Sequence, residues 1–375
     1  MVVRPFFVNR QACMDCQFSG IYRGKNVLLT GHTGFKGSWL AYWLTRLGAN
    51  VTGYSLAPPT APNHFETLKP AVTSHIGDIA DLPLLAQRMR EARPDIVFHL
   101  AAQPLVRRSY ADPVETYRAN VLGTLHVCEA ARACGTVRAL VAVTTDKVYE
   151  NRECRRGYRE DDRLGGHDPY SSSKACAEIL LSSYRRSFCG PGSSPMHIAS
   201  ARAGNVLGGG DWSDDRLIPD IMKAAAAGAP APIRNPGSTR PWQHVLECLG
   251  GYLLLGARLL GDDPPAAYAF NFGPDGSDAL AVGDVAKMAA ALWPAVTLRY
   301  PELAGQPHEA GLLTLDCSLA AKLLGWKPVW NVETALRHTV GWYRAFYESG
   351  RVRTADDLDA YVADAAAASQ PWAGA

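Results

Sequence analysis

Two rhythms of apolar residues alternate along the chain. Val27 to Thr30 is a short, largely apolar run. Behind it Trp39, Leu40, Trp43, Leu44 and Leu47 return at helical spacing until Gly48. The first signal reads as a buried strand and the second as a helix packed on one side. The pair of signals repeats. Strands are predicted at Asn50 to Leu56, Asp95 to Ala102, Ala139 to Thr145 and Met196 to Leu207. Helices are predicted at Asp81 to Arg93, Pro113 to Cys134, residues 169–187, Leu217 to Gly228, Val245 to Leu260 and Val332 to Glu348, with a short returning strand at Ala269 to Gly273. Strands that alternate with helices long enough for crossovers predict an α/β chain with a parallel sheet covered on both faces.

Gly31, Gly34 and Gly37 fall at regular intervals between the first run and the first stripe, with Phe35 and Lys36 between the last two. Glycine admits positive φ and lets backbone approach a pyrophosphate without a Cβ in the way. The helix start behind it offers unpaired N–H groups and partial positive charge. Strand, glycine turn and helix in this order predict a bound dinucleotide. The expected fold is a Rossmann-like doubly wound parallel sheet with a smaller mixed α/β substrate-binding lobe. Residues 23–204 and 243–273 are assigned to the nucleotide-binding domain, and 205–242 and 274–350 to the lobe. Residues 1–22 read as a disordered leader and 351–375 as a peripheral tail. The second strand ends on Tyr54, Ser55 and Leu56, with no carboxylate for ribose hydroxyls and no arginine after it for a 2′-phosphate. That favours NAD over NADP, loosely held. At the end of the next strand, Leu100-Ala101-Ala102-Gln103 is small-sided and lets the chain approach a flat ligand.

Composition changes this picture little. The chain has 375 residues, 47% hydrophobic and 20% charged, with net charge +2. No broad basic field points to nucleic acid, and no run approaches the ~20 apolar residues of a membrane span. Met1 to Tyr22 lacks the continuous apolar core of a secretory signal. Nine scattered cysteines read as reduced thiols in a cytoplasmic protein. Cys13 and Cys16 form a lone CxxC without the second pair that zinc requires, so no metal is expected. Met14 inside the leader is a candidate alternative start.

The candidate chemistry gathers at strand ends. Thr144, Thr145, Asp146 and Lys147 close the Ala139 strand, where open parallel sheets bind ligands. Tyr170 and Lys174 lie one turn apart on the next helix, a spacing at which an ammonium lowers a phenol's pKa into working range. Arg202 and Asn205 end a later strand, and Arg216 follows on the substrate side. Arg234 and Arg240 flank a proline-glycine turn and suit a diphosphate bound bidentately. Trp242 reads as packing and His244 as a structural histidine.

These motifs, in this order, resemble the extended short-chain dehydrogenase/reductase family, and within it the nucleotide-sugar 4,6-dehydratases of the CDP-glucose branch. The likeness is carried by GHTGFKGSW at 31–39, HLAAQPLVRRSY at 99–110, TDKVYEN at 145–151, YSSSKA at 170–175, RAGNVLGGGDW at 202–212, RPWQHVLE at 240–247 and LGWKP at 324–328. It implies bound NAD and the loss of water from CDP-glucose to give a 4-keto-6-deoxy sugar. It further implies that Tyr170, helped by Thr145 and Lys174, takes the C4 hydroxyl proton, with Asp146 as acid and Lys147 as base in the elimination. Lysine at the second position, where dTDP-glucose dehydratases carry glutamate, is the mark of this branch. Asp78, Ile79, Asn120 and Thr144 join the cofactor set, and Gln103, Asn205, Arg216, Arg234, Arg240 and Gln243 the nucleotide-sugar set. The family pairs through two long helices, here those over 113–134 and 169–187, so a homodimer or higher homo-oligomer is expected. A 4-epimerase, a dehydratase of another nucleotide sugar and a non-catalytic NAD-sensing scaffold stay open as alternatives.

Overall fold

The computed structural model describes residues 16–154, 156–190, 192–274, 279–301 and 313–374. Cys13 and Met14 lie outside these residues. One sheet of parallel strands runs through the molecule: β1 (Asn26–Thr30), β2 (Asn50–Ser55), β3 (Thr73–Ile76), β4 (Ile96–His99), β5 (Ala139–Val143), β6 (His197–Ala203) and β7 (Ala269–Phe272). Their order is β7-β6-β5-β4-β1-β2-β3. The chain leaves β1 in one direction and resumes at β4 on the other side, so the switch point lies beyond the carboxyl ends of β1 and β4, where α/β sheets bind ligands. β3 has no counterpart in the apolar pattern. Its sequence TSHI is polar because an edge strand keeps much of its surface in solvent.

The strands point alternate side chains into two cores. Val27 and Leu29 face one, together with Trp39 and Trp43 of helix α1 (Phe35–Arg46). Leu28 faces the other, with α2 (Leu82–Ala92), α3 (Gly123–Cys134) and α4 (Pro169–Phe188). The smaller lobe carries α5 (Leu217–Ala226) and short two- and three-residue strands. Helix α6 (Val245–Leu260) returns to the sheet, and α7 (Val332–Ser349) and α8 (Thr354–Ala367) complete the chain.

The structure corrects four expectations. The helix predicted at Pro113 to Cys134 is broken: a short helix Pro113–Tyr117 passes through a π turn, Arg118–Leu122, before α3 begins. The strand predicted at Met196 to Leu207 stops at Ala203 and resumes as Val206–Leu207 beside Gln243–His244. Between them a Cβ at Gly204 would stand 3.0 Å from the Asp146 carboxylate. The tail is not peripheral. Leu358, Tyr361, Val362 and Ala365 form a buried helical stripe and enter the α1 core with Trp372. Alanine-rich flanks hide that stripe in the sequence. Phe18 and Tyr22 of the expected leader are buried there too, with the Phe18 ring stacked 5.2 Å from Trp372.

Candidate active site

The glycine turn is shaped by contact. Gly31 has φ +79°, and a Cβ there would meet the backbone nitrogen of Ala101 at 2.7 Å. A Cβ at Gly37 would lie 2.0 Å from the Gly31 carbonyl oxygen. Gly34 caps α1 in extended conformation, leaving the first N–H groups of the helix to face outward. Thr30 Oγ1 accepts from the backbone N–H groups of Leu100 and Ala101, which holds the β4 end, continuing to Ala102, against this turn. At the end of β2 the Ser55 hydroxyl bonds that of Thr33 at 2.8 Å, so hydroxyls stand where a carboxylate is usual. This cradle fits a dinucleotide pyrophosphate, with hydroxyls at its ribose end.

Further along, Asp78 accepts from the Ala80 N–H and pairs with Arg118 at 2.8 Å. Ile79 packs on Gly123, where a Cβ would come within 2.5 Å of it. Asn120 sits inside the π turn and is fully buried. Its amide spans the Gln103 backbone and the Ser173 hydroxyl, with bonds of 2.9, 3.1 and 2.9 Å. The Gln103 amide bonds Leu105 and Thr116. Both residues thus shape the strand end, and their amides are engaged within the protein. Lys36 reaches back over the Tyr252 ring, 5.9 Å from its centre.

The catalytic candidates converge beyond β5. Thr145 caps the short helical turn Asp146–Val148 and donates to Asp146 at 2.9 Å. Asp146 is buried, and the half-buried Lys147 places its ammonium 3.4 Å from both Asp146 Oδ1 and Asn205 Oδ1. Tyr170 is buried at the start of α4. Burial pushes its phenol above the usual range; the strongest opposing influence is the Lys147 charge, followed by a hydrogen bond with Thr145. Lys174, expected to favour the Tyr170 phenolate and to hold ribose hydroxyls, donates to the Val143 carbonyl at 3.1 Å. Burial lowers its pKa to about 8, against the pull of Glu178 and with the push of Lys36. The sequence pattern did not foresee that Lys147 acts on both Asp146 and Tyr170.

On the substrate side Arg216 bonds Asp211 at 2.8 Å, and its charge reaches Tyr170. Arg234 pairs with Asp215 at 2.6 Å and Asp220 at 3.2 Å, and Arg107 with Asp215 at 3.6 Å. Arg240 lies on the strand Thr239–Pro241 and donates to Thr239 O. Gln243 is buried and donates to Phe272 O, while its Oε1 has no hydrogen-bond partner among the described residues. Glu178 and its Arg202 partner lie beneath the site. The sequence reading passed over Glu178, although it continues the 170/174 face by one more turn. Among the described residues no cluster of ligating side chains could hold a metal, and no helix is long and apolar enough to cross a membrane.

Comparison with known proteins agrees with this fold. Residues 27–269 match the model of the NAD dependent epimerase/dehydratase family. The chain is 48% identical to CDP-glucose 4,6-dehydratase of Salmonella typhimurium over 87% of its own length and 92% of that protein. It is 32% identical to dTDP-glucose 4,6-dehydratase of Streptomyces antibioticus, covering 85% and 92% of the two chains. A solved structure of MoeE5 in complex with UDP-glucose and NAD superposes with TM-score 0.72 at 26% identity, covering 85% and 98%.

Proposed function

The chain belongs to the NAD dependent epimerase/dehydratase family, and on that premise we propose that it is a CDP-glucose 4,6-dehydratase, forming CDP-4-keto-6-deoxyglucose and water. One observation carries the choice within the family: the Asp146–Lys147 contact beside Tyr170. A 4-epimerase needs the tyrosine but has no elimination for such a pair to perform. Cytidine as the base rests on the 48% identical relative.

The cofactor site is the cradle of Gly31, Gly34, Phe35, Lys36 and Gly37, with Ser55 and Thr33 toward the ribose. When bound, NAD⁺ supplies a reversible electron-pair acceptor that lets the C4 hydrogen of the sugar be moved to C6. The protein's own residues handle the protons. Tyr170, neutral at rest, acts as its phenolate once the positive charges of Lys147 and bound NAD⁺ favour that form, and then takes the proton of the C4 hydroxyl while Thr145 holds that oxygen in line. The resulting ketone acidifies C5–H. Lys147 then takes the C5 proton and Asp146 protonates the departing C6 oxygen. Those roles need a neutral amine and a neutral acid. The resting ion pair is one proton transfer from that state, with no change in total charge. Elimination returns the pair to its ion-paired form; once the hydrogen from C4 has reached C6, Lys147 gives a proton back to C5 and regains the one taken by Tyr170. Arg216, Arg234 and Arg240 supply cationic groups for the diphosphate.

The exposed apolar residues Val114, Leu122 and Ile179 lie on the two helical segments expected to pair, which supports a homodimer through them. Eight described cysteines are all free thiols, which fits a reducing cytoplasm. The deciding experiment incubates the protein and NAD⁺ with CDP-, dTDP- and UDP-glucose and weighs the products. A product lighter by one water, fastest from CDP-glucose, is expected. An isobaric product would make the protein an epimerase.

A further inference from the structure

A buried charge network lies directly under the catalytic groups, and the proposed reaction leaves it without a task. Glu178 follows Lys174 by one turn of α4. Its Oε1 accepts from the Thr144 hydroxyl at 2.5 Å, and its Oε2 from the Ser200 hydroxyl at 2.7 Å and the Arg202 guanidinium at 2.8 Å. Both partners of the ion pair are 4% exposed. Arg202 continues to the Tyr149 hydroxyl at 2.8 Å and the Glu160 carbonyl at 3.0 Å, and Tyr149 donates to Asn271 at 2.7 Å. A structural ion pair between α4 and β6 would be complete without Thr144. Here one carboxylate oxygen is committed to the strand end that carries Thr145 and Asp146.

Lys174 gives the second reason. Its ammonium is buried and hydrogen-bonds a carbonyl, not a carboxylate. The groups whose charge reaches it are Lys36 on the first turn of α1, His99 on β4 and Glu178, while Tyr170 lies one turn earlier on its own helix. His99 is held between Thr30 at 2.8 Å and Thr124 at 3.0 Å, and burial keeps it neutral with a pKa of about 3. Lys36 repels. Tyr170 is neutral at rest. Glu178 is therefore the counter-charge among these groups. The Arg202 pair and the two hydroxyl bonds hold Glu178 ionised, outweighing its burial and setting its pKa below the usual carboxylate value.

We propose that Glu178 is a positioning residue: its carboxylate fixes Thr144 at the catalytic strand end and keeps Lys174 an ammonium where it would hold the nicotinamide ribose. This rests on the NAD-dependent dehydratase reading. Both kcat and NAD affinity then require charged Lys174 and fall as pH rises past its pKa.

The test compares Glu178→Gln, the double variant Glu178→Gln/Arg202→Met and the conservative Glu178→Asp. Two readouts are followed against pH: NAD affinity from tryptophan fluorescence, without substrate, and kcat with CDP-glucose. In Glu178→Gln both alkaline limbs should move down by about one pH unit, a tenfold loss at fixed alkaline pH. Glu178→Asp should restore them toward wild type. Glu178→Gln alone strands a buried arginine and can unfold; the double variant removes both charges, a change that buried pairs commonly tolerate. It should fold and show the same shift. Unshifted limbs in a folded variant would overturn the proposal. Collapse of the double variant would assign the pair to the fold and overturn it too. A wild type inactive on every nucleotide sugar, yet showing the shift in NAD affinity, would sink the dehydratase reading and leave Glu178's role standing.

Discussion

Acid should unfasten the C-terminal helix from the cofactor helix, and the His64 side chain sets the amount. His64 is buried between Ser38 of α1 and Thr354 of α8, with contacts of 2.7 and 2.8 Å. The Ser38 hydroxyl donates to the Phe35 carbonyl, so it accepts from His64 Nδ1–H. Thr354 accepts from the Trp342 indole, so it donates to His64 Nε2. The network thus assigns the neutral Nδ1–H tautomer, and a second proton on Nε2 would face a donor. Burial lowers the pKa to about 3. In the unfolded chain it returns to about 6.5. Between these values the unfolded chain binds a proton that the native state refuses, so stability falls as pH drops from 6.5 toward 3. From neutral pH to pH 5 this one ring costs about 2 kcal/mol. Urea unfolding of wild type and His64→Gln at both pH values checks it. His99 and His244 are also buried with pKa about 3 and penalise both proteins alike. The variant should therefore lose about 2 kcal/mol less than wild type on acidification. Equal losses would refute the reasoning.

Three further outcomes are expected. Gly37→Ala places a methyl 2.0 Å from the Gly31 carbonyl; the turn must open, and NAD affinity measured by calorimetry should drop about 10- to 100-fold. Lys147→Ala should lower formation of the 4-keto product by about 100- to 10,000-fold in a mass assay, while reduced nicotinamide still forms with substrate. Ile179→Glu puts a charge on an apolar side chain that is 59% exposed, and sedimentation should show a shift from dimer to monomer with the fold intact by circular dichroism.

Much of the fold was legible because its signals are local. A buried parallel strand must be apolar on both faces, and a helix that covers it must carry a stripe, so β1, β2, β4, β5 and their helices stand out in the sequence. The edge strand β3 escapes because it is mostly polar. The family resemblance singles out Asn120, but its setting escapes: nothing in RANVL announces the π turn in which the asparagine bonds Gln103 and Ser173.

The sequence by itself determined β1, β2, β4 and β5, the glycine turn behind β1, the Thr145-Asp146-Lys147 run at the end of β5 and the one-turn spacing of Tyr170 and Lys174. Each depends on spacing within a few residues, where backbone geometry alone sets what lies beside what. Only the tertiary structure decided which polar groups meet: Lys147 with Asn205, Asp78 with Arg118, Glu178 with Arg202, and His64 with Thr354 across 290 positions. Such contacts depend on how helices pack on the sheet, and for His64 burial then fixes the neutral form. Periodicity encodes the faces that must pack, but not which polar side chains the packing brings within a hydrogen bond of one another.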